Sequence, residues 1–119
     1  MTGKDPAEVI GRHIAAFNAG DVEALISGFT EDAVWVTGTT IVRGRAELTE
    51  LFAAAIAGLR PTLVVVQVIT ANDRVACELT ETLTASDGPH SFRIAGFYRL
   101  RDGRIASARI YREGSAEID

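Results

Sequence analysis

The chain has 119 residues and a formal net charge of −4, with 47% hydrophobic and 24% charged residues. That is enough for one domain spanning 1–119 with a real core, too few for two ordinary ones, and the balance of a globular chain rather than a disordered one. The longest apolar runs, AVWV and LVVVQVI, are far short of a membrane span, and the opening MTGKDPAE has no apolar secretion segment, so no membrane partner and a cytoplasmic setting are expected.

Asp5-Pro6-Ala7-Glu8 predicts a helix start: aspartate caps, proline suits the first turn, and glutamate stands three residues after the cap. Ile10, His13, Ile14 and Phe17 then share one apolar stripe, a stripe that includes a histidine. Asn18-Ala19-Gly20 ends the helix, and Asp21 caps a second, shorter one through about Phe29. Thr30-Glu31-Asp32 reads as a turn and Ala33–Thr37 as a short strand, followed by a loop containing glycine and threonine. A third helix is expected from about Arg45 to Ala57, with Leu48, Leu51, Phe52, Ala55, Ile56 and Leu59 as its stripe and Gly58 and Pro61 closing it.

From there the period changes from helical to alternating. Four strands are expected, Thr62–Thr70, Arg74–Thr84, Ser91–Arg101 and Arg104–Glu113, with Arg101-Asp102-Gly103-Arg104 as a hairpin turn. Gly114–Asp119 reads as a loose tail. The late arginines alternate with acidic and apolar residues, the pattern of a solvated sheet face rather than a nucleic-acid footprint. Cys77 has no partner for an intrachain disulfide, and two histidines with one cysteine lack metal-ligand spacing, so no metal is expected. Helices followed by antiparallel strands imply an α+β fold. Its three N-terminal helices would pack on one face of a curved, mostly antiparallel sheet shaped as a cone with an internal pocket.

Glu81 carries the chemistry. In RVACELTETLT it shares strand parity with Val75, Cys77, Leu79 and Leu83, which places a carboxylate on the apolar face. Such a group is costly unless paired, and often marks a working site. A bulge, or a strand end at which Glu81 reaches solvent, is the other reading of the same residue.

The segments FNAGDVEALISGFTEDAVWV, VRGRAEL and FYRLRDGRIASARIYRE resemble the nuclear transport factor 2-like superfamily, which includes ketosteroid isomerases, SnoaL-like polyketide cyclases and limonene epoxide hydrolases. The resemblance covers nearly the whole chain and implies the cone fold, a pocket at its open end, and frequent homodimers. Ketosteroid isomerases place an oxyanion-binding tyrosine where this chain has His13, their base where it has Thr37, and a second oxyanion donor where it has Gly96. Limonene epoxide hydrolases place one relay aspartate at Glu81, the relay arginine at Leu79, the second aspartate at Ile110, and assisting groups at Trp35 and Thr37. SnoaL-like cyclases need one acid, a role open to Glu81.

Parity and resemblance together nominate Glu81 and His13 as the catalytic pair. Trp35, Thr37, Tyr98, Arg112, Phe17 and Phe52 are nominated as substrate-binding residues. Each keeps a second reading: His13 as a packed core histidine, Tyr98 as a core aromatic with its hydroxyl at the edge, Arg112 as a solvated strand end. The pair would require His13 within hydrogen-bonding reach of Glu81. The expected activity is a cofactor-independent isomerase or cyclase working by proton transfer on a small apolar or cyclic organic ligand. The alternatives are an epoxide-opening hydrolase, or a non-catalytic binding or dimerisation domain. A structural pairing of Glu81 with an arginine would favour the last.

Overall fold

The computed structural model describes residues 5–113, so the expected tail at 114–119 lies outside the described residues. Three helices, α1 (Pro6–Ala19), α2 (Val22–Ser27) and α3 (Gly44–Leu59), are joined to six strands: β1 (Phe29–Thr37), β2 (Thr40–Arg43), β3 (Thr62–Ala71), β4 (Arg74–Ala85), β5 (Gly88–Arg101) and β6 (Arg104–Arg112). The strands form one sheet in the order β2-β1-β6-β5-β4-β3. Every neighbouring pair is antiparallel except β1 with β6.

The helix boundaries follow from their caps. Asp5 accepts from Ala7 N at 3.0 Å, Pro6 opens the first turn, and Gly20 closes α1 in the left-handed region at φ 69°. Asp21 accepts from Ala24 N at 3.1 Å to start α2. The third helix continues through Gly58 to Leu59, two residues past the expected end at Ala57, and closes on Arg60 in the left-handed region. Asn18 then ties the end of α1 to the edge strand, donating to Leu63 O at 2.9 Å and accepting from Leu63 N at 2.7 Å.

Two expectations around the first strand are corrected. The second helix stops at Ser27, and Phe29 already belongs to β1, where it is fully buried and pairs with Ile105. Thr30-Glu31-Asp32 is a bulged stretch of that strand, not a turn, with Thr30 donating to Asp32 at 2.9 Å and Arg101 pairing with Asp32 at 2.6 Å. The loop after β1 contains a short exposed strand, β2, folded back on Val34–Thr37. β5 also begins earlier than expected, at Gly88.

The helices lie on one face of the sheet, burying Ile10, Ile14 and Phe17 from α1 and Leu48 and Phe52 from α3 in a single core. In-register pairing sorts that inner face into cross-sheet rows. Val75, Tyr98, Ala108 and Trp35 form the first row, and Cys77, Gly96, Ile110 and Thr37 the second. Leu79, Ile94 and Arg112 form the third, and Leu63, Glu81 and Phe92 the fourth. A register shift after Arg99 lets both Ile105 and the set Ala108, Ile110 and Arg112 face inward, which simple alternation along β6 would not allow.

Candidate functional site

A cavity of about 500 Å³ lies between the inner face and the helices α1 and α3. All eight nominated residues line it: His13, Phe17, Trp35, Thr37, Phe52, Glu81, Tyr98 and Arg112. The parity of β4 holds along its length, with Val75, Cys77, Leu79, Glu81 and Leu83 all buried. Gly38, Thr39 and Thr40, in the hairpin between β1 and β2, add a polar stretch to the wall.

Glu81 does not pair with His13. Its Oε1 accepts from Arg112 Nη2 in an ion pair in which the glutamate side chain is 9% exposed and the arginine 20%. Arg112 sits on β6 opposite Ile94, and its long side chain crosses β5 to reach Glu81 on β4. The expected His13–Glu81 bond fails because the two belong to opposite ends of the cavity. His13 packs against the first row and Glu81 stands in the fourth. Tyr98 and Phe92, which mark those rows on β5, are six residues apart, about 20 Å of extended strand.

His13 is enclosed by rings, with centroids 5.6 Å from Phe29, 5.8 Å from Tyr98, 6.0 Å from Trp35 and 6.5 Å from Phe52. Burial strips the imidazolium of water and pushes its pKa down to about 4, so the ring is neutral at neutral pH. Its Nδ1 is buried without a hydrogen-bond partner, as is Nε of Arg112. Burial also lowers the Arg112 pKa, but a guanidinium starts so high that its charge persists.

Tyr98 is 3% exposed, so its hydroxyl is inside rather than at the edge. Burial pushes its pKa well above the ordinary value, and the adjacent Cys77 thiol adds to the rise. Cys77 is itself raised by burial, with the Tyr98 hydroxyl partly offsetting the effect. Both groups are therefore protonated at neutral pH. The Tyr98 ring lies directly over Gly96, the position at which ketosteroid isomerases carry an acid, and fills that space.

The sequence reading missed the Glu81–Arg112 pairing itself. Its signal was present, since both residues have inward parity, but the register of β6 on β5 had to be known before Arg112 could be placed two strands away, within reach across Ile94. Among the described residues, no group of three His, Cys, Asp or Glu stands close enough to hold a metal ion. No helix there is long and apolar enough to cross a membrane.

Several solved structures share this fold. A protein of ketosteroid isomerase-like fold from Catenulispora acidiphila, crystallised with trimethylamine, aligns over 90% of this chain and 86% of its own at 20% identity and TM-score 0.83. An M. tuberculosis LEH-like epoxide hydrolase aligns over 89% and 80% at 19% identity and TM-score 0.81. The epoxide hydrolase/cyclase-like enzyme SalBIII, described in pyran ring formation in the polyether salinomycin, aligns over 91% and 90% at 23% identity and TM-score 0.83. At these identities the likeness is one of fold. No curated protein matches the chain significantly. The model of the SnoaL-like domain matches residues 10–108, from the α1 stripe to the middle of β6, and the chain belongs to that family.

Proposed function

We propose that this SnoaL-like chain is a cofactor-independent isomerase or cyclase that moves a proton on a small, largely apolar, ring-containing molecule in the cone pocket. The observation that carries this reading is a carboxylate, Glu81, on the wall of a cavity lined mainly by aromatic and aliphatic groups. An ionised carboxylate is a proton acceptor, although its pairing with Arg112 makes it a weaker one. A C–H bond beside a substrate carbonyl gives its proton to Glu81, and the bonding electrons move toward the carbonyl oxygen. Once Glu81 is neutral, Arg112 loses its anion and its charge is available to the oxyanion that has formed. Return of the proton to a different carbon moves the double bond; attack of the enolate carbon on a second carbonyl of the same molecule closes a ring, and the alkoxide formed takes the proton back from Glu81.

Positioned proton transfer of this kind contributes roughly 10²–10⁴-fold, and exclusion of water strengthens each charged contact further. The neutral His13 serves as a hydrogen-bonding group at the far end of the cavity rather than as a partner of Glu81. A cytoplasmic setting belongs to the same reading. The test is Glu81→Gln: turnover of a cyclic ketone identified by ligand-induced thermal stabilisation is abolished, while binding of that ketone is nearly unchanged. Full activity in the variant ends the proposal.

Two observations favour other readings. Arg112 places an arginine beside the acid although the relay position at Leu79 is apolar, which keeps an epoxide-opening hydrolase in view; oxygen from labelled water in the product would identify it. The same pair engages Glu81 in a structural contact, which favours a non-catalytic binding domain, and the family contains such members beside its many enzymes. A wild-type chain that binds the ketone, exchanges none of its α-hydrogens with deuterated solvent and gives no product would be of this last kind.

A further inference from the structure

Among the described residues, two side-chain nitrogens are buried without a hydrogen-bond partner, Nδ1 of His13 and Nε of Arg112. Buried polar atoms are almost always paired, so each exception calls for a partner from outside the chain. Both residues line the same cavity, at different depths. His13 packs on the first row, against Trp35 and Tyr98, and Arg112 belongs to the third. Between those rows β6 runs from Ala108 to Arg112, about 13 Å of extended strand. The wall along that span is apolar, with Phe52, Leu79, Ile94 and Ile110. Other polar groups on the wall have partners or water. The Tyr98 hydroxyl is bonded to the Cys77 thiol, and Thr39 and Thr40 are exposed.

We infer that the ligand of this pocket is a neutral, two-ended molecule: an apolar ring body with a carbonyl at the Arg112 end and a hydroxyl at the His13 end. This rests on the reading of the cavity as a substrate pocket, and names the class of molecule it takes. An arginine Nε can only donate, so it needs an acceptor, which a carbonyl oxygen supplies. Glu81 takes Nη2 and leaves Nε, which lies beside it on the planar guanidinium. An oxygen on Nε therefore stands next to the carboxylate, where charge gathers once the neighbouring proton has left. At the other end, Nδ1 donates in one tautomer of the neutral ring and accepts in the other. A hydroxyl answers either tautomer, whereas an ether oxygen answers only one. Charge selects as well. Glu81 and Arg112 are the ionised groups lining the cavity, and they cancel. A carboxylate or ammonium at the inner end would be buried without a counter-charge.

The test uses two matched probes on the full chain, with affinities from isothermal titration calorimetry. Flavanone has the carbonyl and the apolar rings; its analogue with a para-hydroxyl on the pendant phenyl ring adds the second polar end. The wild type binds the hydroxylated probe roughly tenfold more tightly than flavanone, the net effect of one hydrogen bond. In His13→Leu that preference disappears. In Glu81→Leu/Arg112→Met both probes weaken by a similar factor and the preference survives. Without any variant, the imidazole nitrogen resonances of His13 move when the hydroxylated probe binds and stay in place with flavanone. Equal wild-type affinity for the two probes overturns the inference. It would mean that Nδ1 is served by water from a smaller cavity, which His13 lines together with Arg12, Gly28 and Arg104. A preference that persists in His13→Leu also overturns it, as does failure of both probes to bind. The catalytic reading fails separately. Binding with this pattern, but without exchange of the flavanone α-hydrogens with deuterated solvent, sinks that reading and leaves the ligand class standing.

Discussion

Tyr98 lies folded over Gly96, so that a Cβ on Gly96 would stand 2.6 Å from its Cε1, 2.7 Å from its Oη and 2.8 Å from its Cζ. No side-chain carbon is tolerated at such distances, and the ring has little room to retreat because Tyr98 is 3% exposed and packs on His13 and Trp35. Gly96→Ala is therefore expected to cost about 1–3 kcal/mol by overpacking. Chemical denaturation measures the loss. Tyr98→Ala in the same background should relieve the Gly96→Ala cost, a coupling that a double-mutant cycle reads directly.

His13 sets an acid limit on stability. Its pKa is near 4 when folded and 6.5 as the ordinary value, so between those pH values the unfolded chain binds a proton that the folded chain refuses. Stability therefore falls as pH drops from about 6.5 to about 4, by roughly 3 kcal/mol for this group, and the loss levels off below. Asp32 and Asp87, held below the usual carboxylate range first by hydrogen bonds from Arg101 and His90, add losses at lower pH. Denaturation curves of His13→Leu across this range should lack the upper part of the decline.

Removing Arg112 leaves Glu81 buried and unpaired. Arg112→Met is expected to cost about 3 kcal/mol, the lower end for a buried pair because a fifth of the arginine side chain is exposed. The double variant Glu81→Leu/Arg112→Met should regain most of that stability, since two apolar groups need no partner. Thermal unfolding of both variants separates the pair's contribution from simple packing loss.

Asn18 is the clasp between α1 and β3. Replacing it with Leu removes both bonds to Leu63 and leaves a buried backbone N–H without its partner, at a cost of about 1–3 kcal/mol. Hydrogen exchange at Leu63 should rise far more than at the β4–β5 pairs.

The fold was legible because its signals are local and redundant. Asp5, Asp21 and Gly20 mark helix ends by chemistry that holds wherever the helix packs, and the alternation of β4 survives from Val75 to Leu83. The first strand was misread at Thr30–Asp32 because three polar residues in a bulge look like a turn until Arg101 and the pairing of Phe29 are known. β2 escaped because four residues on an exposed edge carry little periodicity. The cavity-lining residues were legible from parity and stripe. Their partnerships were not, because whether Glu81 meets His13 or Arg112 depends on row position and on the register of another strand.

The place of β6 has a consequence for how the chain reaches its native state. β6, the last of the described strands in chain order, is an interior one, lying between β1 and β5 and parallel to the first. Until it inserts, the β1–β2 hairpin and the β3–β5 meander have no strand joining them, and each presents an unpaired edge to whatever is near. Such long-range closure is slow. The chain must therefore be made through Arg112 before the cavity exists at all. A chain stopped before Arg104 would carry nearly every helix and strand signal, lack the residue that neutralises Glu81, and be inclined to aggregate.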